Sequence, residues 1–415
     1  MKVTLATVGS RGDAQPMFAL AQGLIKRGHQ VQMAASPNFA EWSGRLGLRF
    51  TPVGCDMQRW MADNPKLMTG KPLEVRRGMR ILFSEQLPAQ IDGLIEAAKG
   101  SDAILYSGLA LSSASVAEYL KIPVLALAYS PCVIPGRGHP PSMVPWQNLP
   151  HWINALLWSL VIRAGRRTTG KVINQTRKKL GLAPVEIYDL LSRRVPWVVA
   201  ADREVLPPSP EWAQRVPYAN FLFYDDDRPL DPELDEWLGA GEPPIFVGFG
   251  SMSGDAMARI KQVLQAALVS SGQRVLVGSG WGGLADEGLP AGWRSVGDVP
   301  YALLFPRVAS VIHHGGAGTM AMALRTGVPQ VVLPLIFDQY HHAARLHRAG
   351  LAPLAEPLEK VSAAGLRRAL GEALTMDPRP RKEVAQRLSD SDGISLVAQL
   401  LERLVEGESV LTPYA

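Results

Sequence analysis

At 415 residues the chain is too long for one ordinary hydrophobic core, so two domains of roughly 150 to 250 residues are expected. A composition 47% apolar and 20% charged, with 33 prolines spread throughout, excludes a disordered or fibrous chain. A net charge of +5 is too mild to argue for a nucleic-acid partner, and two cysteines, Cys55 and Cys132, exclude a disulfide framework and a zinc spacing. Both are expected as free thiols in a reducing compartment.

The first predicted element is strand 3–9 (VTLATVG). Arg11 and Asp13 interrupt its apolar run before a signal-peptide core is complete, so it reads as a buried strand. A tight GSRGD loop leads to a helix with Pro16 near its first turn, with Met17, Leu20, Ala21, Leu24 and Ile25 at helical spacing and Gly28 at its C-terminal cap. Strand 30–36 follows, completing the opening of a doubly wound parallel sheet, and apolar runs at 103–107 and 123–129 continue it. The stretch WINALLWSLVI (152–162) is far shorter than the roughly 20 residues of a membrane span. Between His151 and Pro184 stand Arg163, Arg166, Arg167, Lys171, Arg177, Lys178 and Lys179, with no Asp or Glu. Three readings stay open for residues 152–180: a core helix with a solvated basic face, a surface resting on anionic lipid, or a wall of an acceptor pocket.

A segment at 210–244 rich in Pro, Gly and Asp reads as a connection. The pattern then starts over with strand 245–251, helix 255–271 and strand 274–279, and strands 309–314 and 330–335 bracket a further helix. Residues 379–406 read as two helices broken at 391–393. The expected fold is α/β, two Rossmann-like domains facing across a cleft: 1–215, a linker at 216–243, 244–388, and a C-terminal helix within 389–415 packing back on the first domain. Loops 9–16, 250–254 and 313–319, at the carboxyl ends of strands, would line the cleft.

The strongest motif is HHGGAGTMAMALRTGVP at 313–329. A strand ends at His313 and His314, a glycine turn runs through Gly315, Gly316 and Gly318, and a helix starts near 317–319. Unpaired N–H groups at such a helix start carry partial positive charge and bind phosphate, and small side chains let it approach. Thr319 adds a hydroxyl and His314 a ring N–H. Glycines alone serve equally well as a plain sharp turn; the paired histidines and the downstream Asp338 and Gln339 favour the anion site. That carboxylate and amide are suited to two or three sugar hydroxyls, against the plainer role of a helix-capping Asp. In the first half Asp13 lies between a turn glycine and the helix start that Pro16 marks, facing the expected cleft; its plainer role is an N-cap.

In this order and spacing, His314, Gly316, Gly318, Thr319, Gly327, Val328, Pro329, Asp338 and Gln339 resemble the donor box of the family 1 glycosyltransferases, which have the GT-B fold. The resemblance implies that His314, Gly316, Gly318 and Thr319 contact the donor diphosphate with Ser251, Ser10 and Arg11, and that Asp338 and Gln339 hold the donor sugar. Where plant members carry a base-stacking tryptophan this chain has Asp298 in GDVPYALLF, so the base is read through the Val299 backbone and UDP and TDP both stay open. GSRGDAQP at 9–16 resembles the N-terminal signature of the sterol and glycopeptide-antibiotic glycosyltransferases, in which the position of Asp13 holds the base. The likeness runs from residue 1 to about 400. PWVVAAD (196–202) and RPLDPELDEWL (228–238) are of the antibiotic-tailoring kind, and the stretch from Asn154 to Pro184 is closer to the sterol and lipid enzymes. Trp146, Trp152, Trp158 and His139 are candidate acceptor contacts.

Other signals are set aside. GSRG lacks the dinucleotide G-x-G-x-x-G spacing. Asp225, Asp226 and Asp227 read as a solvated turn, and His341, His342 and His347 lack the i, i+4 spacing of a zinc pair, so no metal is expected. The expected co-substrate is a nucleotide diphosphate sugar, with no cofactor. The expected reaction is inverting transfer of a hexose to a hydroxyl of a lipophilic acceptor, UDP-glucose being favoured over a TDP-deoxysugar. An epimerase, a non-catalytic helper and a dinucleotide oxidoreductase are the alternatives. The expected location is cytoplasmic, with peripheral membrane contact through residues 152–180.

Overall fold

The computed structural model describes residues 1–64, 72–250, 255–269, 272–280, 288–408 and 410. Among them eleven strands, all parallel to their neighbours, form two sheets. The first contains β1 (Lys2–Val8), β2 (Gln30–Ala35), β3 (Arg49–Pro52), β4 (Ala103–Gly108), β5 (Val124–Ala128) and β6 (Trp197–Val199), in the order β3-β2-β1-β4-β5-β6. The second contains β7 (Ile245–Gly248), β8 (Val275–Gly278), β9 (Trp293–Val296), β10 (Ser310–His313) and β11 (Gln330–Val332), in the order β11-β10-β7-β8-β9. The expected α/β class with two parallel-sheet units is borne out. Helices cover both faces of such sheets, which is why β7 and β10 are buried throughout and β1 at all but its first residue.

In each sheet the chain builds one side and then returns to build the other. The switch falls between β1 and β4 in the first sheet and between β7 and β10 in the second. Loops leaving those strand pairs diverge, which opens a crevice beyond their carboxyl ends.

Three local features differ from the sequence reading. The first helix runs Arg11–Lys26, so it begins five residues before Pro16. Ser10 is its N-cap and Asp13 its third residue, and their pairing starts the helix early enough that Pro16 falls in its second turn, where it forgoes a single backbone bond. The 210–244 segment is ordered rather than plain: Trp212 is fully buried, and Asp231 caps a helix at Pro232–Gly239 by accepting from the Glu233 and Leu234 N–H groups. The acidic run is not simply solvated, because Asp226 pairs with Arg228 and Asp225 with Arg325 at 3.4 Å.

The last helices are Arg379–Ser389 and Gly393–Val405. The second lies against helix 11–26: a Cβ on Gly23 would stand 2.1 Å from Ile394 Cγ2, and Glu402 accepts from Arg27 at 3.0 Å and from His29 at 2.8 Å. The chain thus returns to its first sheet at its end.

Candidate active site

Asp13 sits at the switch point of the first sheet. Its Oδ2 accepts from the Ser10 N–H at 2.7 Å and from the Ser10 hydroxyl at 3.1 Å. Its backbone carbonyl accepts from the Tyr129 hydroxyl at 2.7 Å, fixing the helix start against β5. Two glycines make the space: a Cβ on Gly9 would stand 2.3 Å from Oδ2, and one on Gly108, at φ +59°, would stand 3.0 Å from Oδ1. Burial pushes the Asp13 carboxyl up to about 6; the Ser10 hydrogen bonds oppose this, and the negative charge of Asp338 adds to it. Asp338 belongs to the second sheet's unit, so its influence on Asp13 marks where the two units meet.

The second switch point holds the glycine turn. Helix Ala317–Thr326 has Gly316 as N-cap and no acid in its first turn. Gly315, at φ +92°, admits no side chain, since a Cβ would stand 2.8 Å from Val332 Cγ1. Its carbonyl accepts from His342 Nδ1 at 2.7 Å, and its N–H donates to His313 Nδ1 at 3.2 Å. His313 in turn pairs through Nε2 with Gln330 Oε1 at 3.0 Å. The His314 ring lies between Gly250 and Gly316, where a Gly316 Cβ would stand 2.6 Å from its Nε2. Burial, with His313 and His342 nearby, pushes His314 down to about 3, so it is a neutral N–H donor at pH 7. Gly318 is exposed and Thr319 half-buried at the same helix start. Ser251, another candidate phosphate contact, lies outside the described residues.

Asp338 and Gln339 open helix Gln339–Arg348. Asp338 occupies the N-cap position but makes no capping bond, so its carboxylate is free for another partner. Its Oδ2 lies 3.8 Å from His342 Nε2, which links it to the glycine turn through one ring. Gln339 is buried, and its Oε1 accepts from the Leu335 and Ile336 N–H groups at 2.9 and 3.0 Å. That leaves its amide NH2 as the end not engaged by these two bonds. Phe337, at φ +53°, makes the sharp step that sets Asp338 in place.

Arg11 reaches across to the second unit. Its guanidinium pairs with Asp298 at 2.7 Å and covers the Trp42 ring at 5.0 Å, and Arg228 joins Asp298 at 3.2 Å. Burial raises the Asp298 carboxyl, but the two arginines outweigh it and hold it below the ordinary range. Val299 follows directly, 9% exposed, in a pocket of about 490 Å³ also lined by Arg228, Gly297 and Pro300.

The acceptor candidates separate. Trp158 Nε1 donates to the His139 carbonyl at 3.1 Å, and His139 is buried with its ring 5.5 Å from that of His341. Trp146 and Trp152 point outward, 70% and 68% exposed. The sequence reading missed His342, Gly9 and Gly108. Only His342 carried a signal, its place four residues after Asp338. Among the described residues no group of three or more His, Cys, Asp or Glu is placed to hold a metal ion.

Comparison with known proteins gives the class. Residues 3–134 match the glycosyltransferase family 28 N-terminal domain, and residues 283–395 the erythromycin biosynthesis protein CIII-like C-terminal domain. The chain is 34% identical to the vancomycin aglycone glucosyltransferase of Amycolatopsis orientalis over 98% of both chains. It is 30% identical to a sterol 3-beta-glucosyltransferase of Arabidopsis thaliana, over 97% of this chain and 68% of that one. The solved glycosyltransferase VinC, in complex with dTDP, shares the fold with a TM-score of 0.68 at 19% identity, covering 98% of this chain and all of that one. The chain therefore belongs to the GT-B glycosyltransferases, as its motifs suggested. It is a hexosyltransferase whose co-substrate is a nucleotide sugar.

Proposed function

We propose that the enzyme transfers glucose from UDP-glucose, with inversion, to a hydroxyl of a lipophilic acceptor such as a sterol, a lipid or a polyketide or glycopeptide aglycone. The observation that carries this reading is the raised, Ser10-held carboxylate of Asp13, close enough to Asp338 to feel its charge. Residues 1–215 take the acceptor, residues 244–388 the donor, and 216–243 join them. Oδ2 of Asp13 is held by Ser10, so Oδ1 accepts the acceptor's hydroxyl proton while that oxygen attacks the anomeric carbon. The bond from that carbon to the diphosphate breaks, and its electron pair leaves with the phosphate. A carboxyl near 6 is ionised at pH 7 yet more basic than an ordinary carboxylate, which suits it to late proton transfer.

The leaving diphosphate meets the amides at 316–319, the Thr319 hydroxyl and neutral His314, donors fixed before charge develops. Asp338 and the free Gln339 amide hold sugar hydroxyls, and the Val299 backbone reads the base. Trp158 and His139 face the acceptor. Arg11, engaged by Asp298, closes the base end rather than touching phosphate. A TDP-deoxysugar donor is the second reading, favoured by the dTDP held in the solved relative. Incubation with UDP and TDP sugars against sterols, lipids and polyketide and glycopeptide aglycones, read as glycoside masses, tests both. No product with any lipophilic acceptor sinks the acceptor class; sugar nucleotide consumed without acceptor points to a different reaction.

A further inference from the structure

Among the described residues thirteen large apolar side chains are clearly exposed, and six of them fall within residues 143–161: Met143, Trp146, Trp152, Leu156, Leu160 and Val161. This is a patch rather than scatter. Most of it lies on helix His151–Arg167, where only Asn154 is buried, so the core-helix reading of that stretch does not hold. At 100° per residue Trp152, Leu156 and Leu160 fall on one stripe, and Arg163 and Arg167 continue that stripe toward the C-terminal end. Roughly 16 Å separates the apolar end from the first cation. The following helix, Thr169–Lys179, adds exposed Lys171, Lys178 and Lys179.

Charge decides what this surface fits. Arg166 is paired with Glu186 at 2.8 Å and buried Arg177 with Glu118 at 2.9 Å. Arg163, Arg167, Lys171, Lys178 and Lys179 have no ion-pair partner among the described residues. An apolar edge with tryptophans, continued by free cations with no acid among them, is complementary to acyl chains topped by anionic phosphates.

We propose that helix 151–167 docks this enzyme on an anionic phospholipid bilayer, its Trp152 to Leu160 end dipping into the interface and its Arg163 to Lys179 end lying on the phosphates. The surface adjoins the cleft. Asn154 donates to the Arg137 carbonyl at 2.9 Å and Trp158 to that of His139, while Arg348 and Arg345 of helix 339–348 donate to Gln147 and Gly138 of the same loop. A lipophilic acceptor leaving the bilayer there is one loop from the sugar-holding residues. This assignment rests on the lipophilic-acceptor reading for its purpose, not for its geometry.

Flotation of the full chain with vesicles of phosphatidylcholine, with and without about one-third phosphatidylglycerol, tests it. Binding to the anionic vesicles, weakened by salt, is expected, with little binding to the neutral ones. Arg163→Glu with Arg167→Glu should weaken it about tenfold or more, and Leu156→Ser with Leu160→Ser by a similar factor. Both variants should keep the parent's rate on an acceptor soluble in water. Equal binding by parent and variants, no binding to anionic vesicles, or concentration-dependent dimers that mask the patch would each overturn it. Glycosylation of a lipid in detergent without vesicle binding removes the docking and leaves the acceptor reading standing. Vesicle binding without glycosylation of any lipophilic acceptor does the reverse.

Discussion

Two helix starts frame the catalytic cleft, and the chain treats them in opposite ways. Helix 11–26 carries an acid in its own first turn, where Asp13 accepts from the Ser10 N–H. Helix 317–326 has glycine as its cap, no acid in its first turn and a neutral histidine beside it. Both ends carry the same partial positive charge. In the first, that charge and the cap hold the Asp13 carboxylate, the proposed proton acceptor; in the second, small residues crowd the amides least, which suits the proposed diphosphate. In the proposed mechanism one element of local geometry serves as a base in one sheet and a phosphate cradle in the other, and the cap residue and the placement of a carboxylate set them apart.

The comparison breaks first at Asp13. Asp13→Asn should cut transfer by about 10²- to 10⁴-fold while nucleoside diphosphate still binds, measured by single-turnover product formation beside calorimetry. His314→Ala should lower kcat by about 10²- to 10³-fold, as loss of one donor to a developing anion does. In Gly316→Val the new side chain meets His314, so nucleotide binding itself should fail, which equilibrium dialysis reads directly.

Acidity sharpens the contrast further. Because Asp13 as the proposed base must be ionised, kcat/KM should climb through about pH 6, and Asp338→Asn, which removes a neighbouring negative charge, should move that limb to lower pH. The stability effect has a definite sign. A carboxyl raised in the folded state favours the folded chain most below about pH 4, and that contribution is lost as pH rises through about 6. Asp13→Asn should therefore gain more in Tm over the parent at pH 8 than at pH 4. The smallest effect belongs to Arg11→Ala, which opens an exposed pair with Asp298 worth up to about 1 kcal/mol; its mark is a weaker salt dependence of melting.

The strand, turn and helix at the second switch point were legible because their signals are local. A strand, a glycine turn and a helix within 313–329 need only their own residues to be read, and Asp338 and Gln339 follow at short range. In the first unit the place of Asp13 at the end of β1 was legible, but its surroundings were not. Gly108 looks like any glycine after an apolar run, and its crowding of the carboxylate appears only once β4 lies beside β1. Arg11 lies two residues before Asp13, yet its partner Asp298 stands 287 positions away, and nothing local announces that pair. Pro16 misled the helix start because proline favours first turns on average, whereas here Ser10 and Asp13 had already begun the helix.

The return of the last helix to the first sheet has a mechanical consequence. The backbone passes between the units twice, once after Tyr218 and once before Gly393, and the two passes touch: a Cβ on Gly393 would stand 1.9 Å from the Ala219 carbonyl oxygen. A pair of straps laid side by side bends like a door on one pin and resists twisting. Opening of the cleft should then follow a single swing, with any side chain larger than hydrogen at 393 prying the straps apart and shifting Asp13 relative to the glycine turn.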